Sequence, residues 1–280
     1  MAYSLGLVGH PISHSLSPWI HQNLLKKAVL EGTYTLYNIP VESFSREIEK
    51  LKGIQLDGFN VTVPYKQAIM RHLDEVDSTA KRVEAVNTVA CRNGKWIGYN
   101  TDGSGYIRSL RDAYPDIFLN KSIRIILIGA GGAARGIYDA LVQNGFYYID
   151  IANRTTDHAV QIKELGNTFT ETTIYSLDKV KNGLDGYDLI IQTTSVGMKP
   201  NDNEIIMVPE KVTESSIVSD IVYQPICTRM LQIAKRKKAS VHYGHTMLLY
   251  QAQHAFEIWT GKQITVEDLK EPLQKQLEGR

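Results

Sequence analysis

At 280 residues, with 43% hydrophobic and 22% charged residues, the chain is long enough for two domains with sizeable cores. A formal net charge of +1 gives no global field, which argues against nucleic acid or an anionic membrane surface as partner. Cys91 and Cys227 stand far apart without metal-ligand spacing, so free thiols in a reducing compartment are expected rather than a disulfide framework or a zinc site. The first residues carry neither a basic stretch nor a long apolar run, and no segment approaches membrane-spanning length, so a cytoplasmic protein is expected. No internal repeat or low-complexity tract is present.

Tyr3 to Val8 reads as a strand broken by Gly9-His-Pro11. Ser17 and Pro18 suit a helix N-cap and first turn, and Ile20, Leu24 and Ala28 continue at helical spacing. Ser15 and Ser17 therefore lie at a strand-to-helix corner, where they either cap the helix or hold a ligand. His10, His14 and His21 match no common metal spacing and lack carboxylate partners nearby, so no metal is expected. A second strand runs from Tyr34 to Ile39, and Phe44, Ile48 and Leu51 mark a helix. A further strand runs into Pro64, which cannot continue a central ladder, and Asn60, Thr62 and Lys66 cluster at its end. Strand ends are where α/β folds bind ligands. A lysine there can donate a proton or a charged hydrogen bond; the alternative is a surface lysine after a turn. A strand follows Val83-Glu-Ala-Val86-Asn87-Thr88, and Asn93-Gly94 signals a tight hairpin returning through Trp96 to Tyr99. It ends at Asn100-Thr101-Asp102, where Asp102 either caps the next helix, around Tyr106 to Leu110, or pairs with Lys66.

Pro115 and Asn120-Lys121 lead into Ile125-Ile-Leu-Ile128, four apolar residues followed at once by Gly129-Ala130-Gly131-Gly132-Ala133-Ala134 and then by Ile137, Leu141 and Val142 at helical spacing. Strand, glycine turn and helix open a dinucleotide-binding βαβ unit. Gly129 permits the turn, Gly131 lets bare backbone approach a pyrophosphate, and the helix N-terminus offers free N–H groups and a positive dipole end. The next strand, Tyr147 to Ala152, ends at Asn153-Arg154-Thr155-Thr156 rather than at the acidic residue expected to take the ribose hydroxyls of NAD. An arginine and hydroxyls suit a 2′-phosphate, so NADP is favoured over a plain cap at Thr155. Strands from Leu189 to Thr193, from Ile217 to Val222 and from Ser240 to Tyr243 complete a sheet, and the ends of the first two are expected to face the nicotinamide half. The helix from Thr246 to Trp259 carries Gln251 on an otherwise apolar stripe, and Thr265-Val-Glu-Asp268 reads as the start of a last helix. These two helices are expected to pack back on the first domain.

The joint order of Ser15-Leu-Ser17-Pro18, Asn60-Val-Thr62-Val-Pro64-Tyr-Lys66, Ala85-Val-Asn87-Thr88, Asn100-Thr101-Asp102-Gly103, the glycine loop, Asn153-Arg154-Thr155 and Gly244 to Gln251-Ala252 closely resembles the shikimate dehydrogenase family, nearly end to end. The resemblance implies reversible NADPH-dependent reduction of 3-dehydroshikimate to shikimate, on a two-domain α/β fold. Residues 1–102 and 243–280 would form the substrate domain, and 103–242 a Rossmann-type doubly wound NADP domain. It implies Lys66 and Asp102 as the catalytic pair. Ser15, Ser17, Thr62, Asn87 and Gln251 would hold the substrate, with Tyr223 close by. Gly129 to Ala134, Asn153, Arg154, Thr155, Ile221 and Gly244 would hold NADP. The partner would be a small molecule rather than nucleic acid or membrane, and the protein a monomer or homodimer. Tyr99, Arg229, His245-Thr246 and Gln192-Thr193-Thr194 depart from the family pattern, which leaves broader use of quinate open. A non-catalytic NADP sensor and a folate-type dehydrogenase are the alternatives. A degenerate sensor should have lost Lys66 or Asp102, and the serine pair with Asn87 argues for a polyhydroxylated acid.

Overall fold

The computed structural model describes residues 2–180 and 183–279. The chain forms two compact units. The first comprises the chain up to Asp102 together with Gln251–Glu267, and the second comprises Gly103–Tyr250 together with the chain from Asp268.

The first unit holds a six-stranded sheet of β1 (Tyr3–Gly9), β2 (Gly32–Asn38), β3 (Gly58–Val61), β4 (Glu75–Val76), β5 (Thr88–Arg92) and β6 (Lys95–Tyr99), in the order β2-β1-β3-β5-β6-β4. β1 is parallel to β2 and β3, whereas β3–β5 and β5–β6 are antiparallel. The last five residues of β1 are buried, as a central strand covered on both faces requires. Helices α1 (Ser17–Lys27), α2 (Phe44–Lys52) and α3 (Ser78–Val83) connect the strands. The buried residues of α2 are Phe44, Ile48 and Leu51, the stripe read from its spacing. Asn93 and Gly94 both take positive φ (52° and 77°) in the two-residue loop that pairs Arg92 with Lys95.

The start of α1 differs from the expectation. Ser17 is the first helical residue and its hydroxyl caps nothing; Ser15 Oγ instead accepts from the Ser17 N–H at 3.2 Å and lies 3.2 Å from Ser17 Oγ. β4 is too short to leave a periodic signal.

The second unit holds six parallel strands: β7 (Arg124–Ile128), β8 (Tyr148–Asn153), β9 (Ile174–Ser176), β10 (Leu189–Gln192), β11 (Ile217–Asp220) and β12 (Ser240–Tyr243). Their order is β12-β11-β10-β7-β8-β9, the doubly wound arrangement, with the reversal between β7 and β10. Its helices are α4 (Asp102–Ala113), α5 (Gly132–Gln143), α6 (Thr156–Lys163), α7 (Leu177–Val180), α8 (Arg229–Arg236), α9 (Gly244–Thr260) and α10 (Lys270–Glu278); α4 and α9 each cross a unit boundary along the chain. Alternate residues of each strand enter opposite cores. Ile125, Leu127, Ile149, Ile151, Leu189 and Ile191 pack with α5 on one face, and Ile126, Ile128, Ala152, Ile190 and Val218 pack with α8 on the other. Both faces being covered explains why these strands read as unbroken apolar runs, each buried Leu or Ile contributing roughly 1.5–3 kcal/mol.

The C-terminal helices do not both belong to the first unit, as 243–280 was expected to. The second half of α9 does: Trp259 Nε1 donates to Val89 O at 2.9 Å and lies where a side chain on Gly58 would stand. Gly244–Tyr250 and α10 belong to the second unit, where Lys270 pairs with Asp112 of α4 and sits 5.4 Å from the Tyr250 ring. The last helix also begins later than expected. Glu267–Leu269 form a single 3₁₀ turn and α10 starts at Lys270.

Candidate functional site

In the first unit a buried polar cluster is assembled from four segments. Lys66, beyond the end of β3, places Nζ 2.5 Å from Asp102 Oδ2, with side chains 15% and 6% exposed. The backbone around them is fixed: Lys66 O accepts from Val86 N at 2.7 Å, and Asp102 N donates to Asn100 Oδ1 at 3.0 Å. Asn87 lies at the centre. Its Nδ2 is 2.9 Å from Asp102 Oδ1, 2.9 Å from Thr101 Oγ1 and 3.3 Å from Gln251 Oε1, so two protons are shared among three oxygens. Its Oδ1 accepts from Thr101 N at 2.8 Å and Thr88 Oγ1 at 3.0 Å. An ammonium whose counter-ion is oriented by a second donor is a charge held in place in a region of low dielectric.

Asn60 and Tyr34 brace this cluster. Asn60 donates to Asn87 O and Thr88 Oγ1 at 3.1 Å each, and accepts from Tyr34 OH at 2.8 Å. Ser17 is buried and Ser15 and Thr62 are half-buried. His21 stacks on Tyr34 at 4.5 Å, and burial pushes its imidazole down to about 3, so it is neutral. Among the described residues no group of three or more His, Cys, Asp or Glu could hold a metal.

Thr88, Thr101 and Tyr34 join this cluster although residue spacing alone does not mark them. The available signal was the repeated Asn-Thr pair, Asn87-Thr88 and Asn100-Thr101, brought side by side by the register that sets Thr88 against Tyr99.

In the second unit, Gly129 ends β7 with φ +114°. A Cβ there would lie 2.5 Å from Thr193 Oγ1, whereas one on Gly131 would meet nothing within 4 Å. Gly131 is the N-cap of α5, which has no side-chain cap and no acidic residue in its first turn. Unclaimed N–H groups at a helix start, behind a surface open at Gly131, fit the pyrophosphate of a dinucleotide. At the end of β8, Arg154 and Thr155 are exposed, and Asn153 Nδ2 donates to Thr155 O at 2.7 Å. Asp150 does not offer a ribose-binding carboxylate, because it accepts from Tyr187 OH at 2.7 Å and Thr173 N at 2.9 Å. Ile221 follows β11, and Gly244 opens α9 so close to it that a Cβ would lie 2.3 Å from Ile221 O. Tyr223 belongs to the second unit, is half-buried, and has its phenol pKa raised by burial. The six expected substrate-binding residues are thus divided, with Ser15, Ser17, Thr62, Asn87 and Gln251 in the first unit and Tyr223 in the second.

Three family models match the chain: shikimate dehydrogenase substrate binding domain over residues 7–89, shikimate/quinate 5-dehydrogenase over 116–222, and shikimate 5′-dehydrogenase C-terminal domain over 244–271. A shikimate dehydrogenase (NADP(+)) of Oceanobacillus iheyensis is 52% identical over 281 residues, covering 100% of both chains. One of Geobacillus sp. is 42% identical, covering 98% of each. The crystal structure of shikimate 5-dehydrogenase from Thermus thermophilus in complex with NADP(H) and shikimate superposes with a TM-score of 0.84 at 30% identity, covering 98% of this chain and 99% of that one. Agreement over the full length shows that this chain belongs to the shikimate dehydrogenase family.

Proposed function

We propose that this protein catalyses the NADP-linked interconversion of 3-dehydroshikimate and shikimate in aromatic amino-acid biosynthesis. The observation that carries the reading is the buried Lys66–Asp102 pair, tied through Asn87 to Gln251 in one cluster. In this reading the first unit binds the hydroxylated acid and the second binds the dinucleotide. Gly129 to Ala134 hold the pyrophosphate, Asn153, Arg154 and Thr155 the adenosine 2′-phosphate, and Ile221 and Gly244 the remainder. When bound, the nicotinamide supplies or accepts the hydride.

The chain's own residues handle charge and position. As the ketone carbon is reduced, negative charge grows on its oxygen; the Lys66 ammonium stabilises that charge and delivers the proton. Asp102 holds the ammonium in place and balances its charge, and Asn87 fixes the carboxylate from its other oxygen. In the direction of shikimate oxidation the Lys66 amine takes the hydroxyl proton. Ser15, Ser17, Thr62, Asn87 and Gln251 bind the carboxylate and remaining hydroxyls. No described helix is long and apolar enough to cross a membrane. The two free cysteines suit a reducing compartment, so a cytoplasmic location is part of the reading.

The test is reduced-nicotinamide absorbance with purified protein, shikimate or quinate, and NADP⁺ or NAD⁺. Rapid NADPH formation from shikimate alone is the expected result. Equal rates with quinate or NAD⁺ would move the protein to a broader quinate/shikimate specificity. Binding of NADPH without any turnover would replace the reading with a non-catalytic sensor.

A further inference from the structure

The carboxyl ends of β10 and β11 carry a buried polar cluster that the reaction above does not use. Gln192, the last residue of β10, is 1% exposed. Its Nε2 lies 3.2 Å from each of Thr194 O, Val196 O and Asp220 Oδ1, and its Oε1 accepts from the Thr194 N–H. One side-chain amide thus closes the Thr193–Gly197 turn from beneath and ties it to the next strand. Asp220 is itself fully engaged: Oδ1 also accepts from Val222 N at 2.9 Å, and Oδ2 accepts from Thr228 Oγ1 at 2.7 Å. Thr228 in turn is the N-cap of α8.

This cluster underlies the sheet's reversal point. Thr193 Oγ1 and N both donate to Ile128 O at 2.8 Å, so the turn is stitched to the strand that ends in the glycine loop. On the other side Ile221 N donates to Gln192 O at 3.1 Å. The strand order β11-β10-β7-β8 then assigns the halves of a bound dinucleotide. With the pyrophosphate at the end of β7 and the 2′-phosphate at the end of β8, the other nucleotide extends over β10 and β11. The framework of the turn is buried, while Ser195 is exposed and Thr194 half-buried, so its outer surface is open to a ligand.

We propose that Gln192, held by Asp220 and Thr228, is a positioning residue that sets the backbone of Thr193–Gly197 for the nicotinamide ribose half of the dinucleotide. The proposal rests on the NADP reading above. Because a carboxylate accepts one of the Gln192 protons, the amide is fixed in orientation and cannot flip. An asparagine, one methylene shorter, could not span both the turn carbonyls and Asp220 from the same backbone position.

The experiment compares NADP⁺ with 2′,5′-ADP, which carries only the adenosine half, by calorimetric titration of the full-length protein. In Gln192→Met the Kd for NADP⁺ should rise about tenfold while that for 2′,5′-ADP stays within about twofold. Gln192→Asn should behave like Gln192→Met, and Thr228→Val should show the same split at about threefold. Thr228→Val carries the comparison alone should the Gln192 variants fail to fold. Equal weakening of both ligands, or weakening of neither, would overturn the proposal. Failure of the wild type to bind either ligand would instead overturn the NADP reading itself.

Discussion

Asn87 donates its side-chain amide to Asp102 Oδ1 at 2.9 Å, on the carboxylate oxygen that Lys66 does not use. The carboxylate is therefore gripped from both sides, and the same amide reaches Gln251. Asn87→Ala should leave Thr101 N without its buried acceptor and Asp102 oriented by Lys66 alone. A stability loss of about 1–3 kcal/mol in urea unfolding is expected, with a higher KM for shikimate and a lower kcat. A variant with unchanged shikimate kinetics would remove Asn87 from the site.

Lys66→Met keeps length and apolar bulk but removes the ammonium. Turnover should fall by about 10²–10⁴. Binding of NADP⁺ by fluorescence titration should change little, because the residues proposed to hold it lie in the other unit. Asp102 would be left buried without its counter-ion, so a lower Tm is also expected. Retained turnover would refute the proton-donor role.

Gly129 and Gly131 should respond differently to alanine. Gly129→Ala forces a Cβ to φ +114° and to within 2.5 Å of Thr193 Oγ1, so it should destabilise the fold by about 1–3 kcal/mol. Gly131→Ala meets no atom, so Tm should hold within a few degrees while NADP⁺ affinity falls about tenfold through blocked approach. Thermal melts and titrations on the two variants separate fold from binding.

Arg154→Ala should raise the Kd for NADPH about tenfold or more and leave that for NADH nearly unchanged, since only the former carries the 2′-phosphate. Equal weakening of both would place the arginine elsewhere in cofactor binding.

Asp220 is buried and its carboxyl is pushed up to about 6 by desolvation, against three hydrogen bonds that lower it. Because its pKa is raised in the folded state, the native protein binds the extra proton between about pH 4 and pH 6, and stability falls as pH rises through that window. Above it the full cost, on the order of 3 kcal/mol, is present. Asp220→Asn has no such cost. The stability difference between variant and wild type should therefore shift in the variant's favour by about 2–3 kcal/mol from pH 4 to pH 7, whatever its value at pH 4. A pH-independent difference would show that Asp220 titrates normally.

Elements with a local signal are legible in the amino-acid order alone. The Ile125–Ile128 run, the glycine turn and the helix behind it identify themselves because a buried parallel strand, a positive-φ turn and an open helix start each demand particular residues within a dozen positions. Asn93-Gly94 and the α2 stripe are legible for the same reason. Whether Asp102 is a helix cap or the partner of Lys66 is settled only in three dimensions, since 36 residues separate them and chain spacing carries no information about distance in space. The same holds for Ser15, rather than Ser17, accepting the bond at the start of α1, for the capture of Asp150 by Tyr187, and for the pairing of Lys270 at the start of α10 with Asp112 of α4. In each of these a polar side chain had several possible partners, and the packing of the elements that carry it made the choice among them.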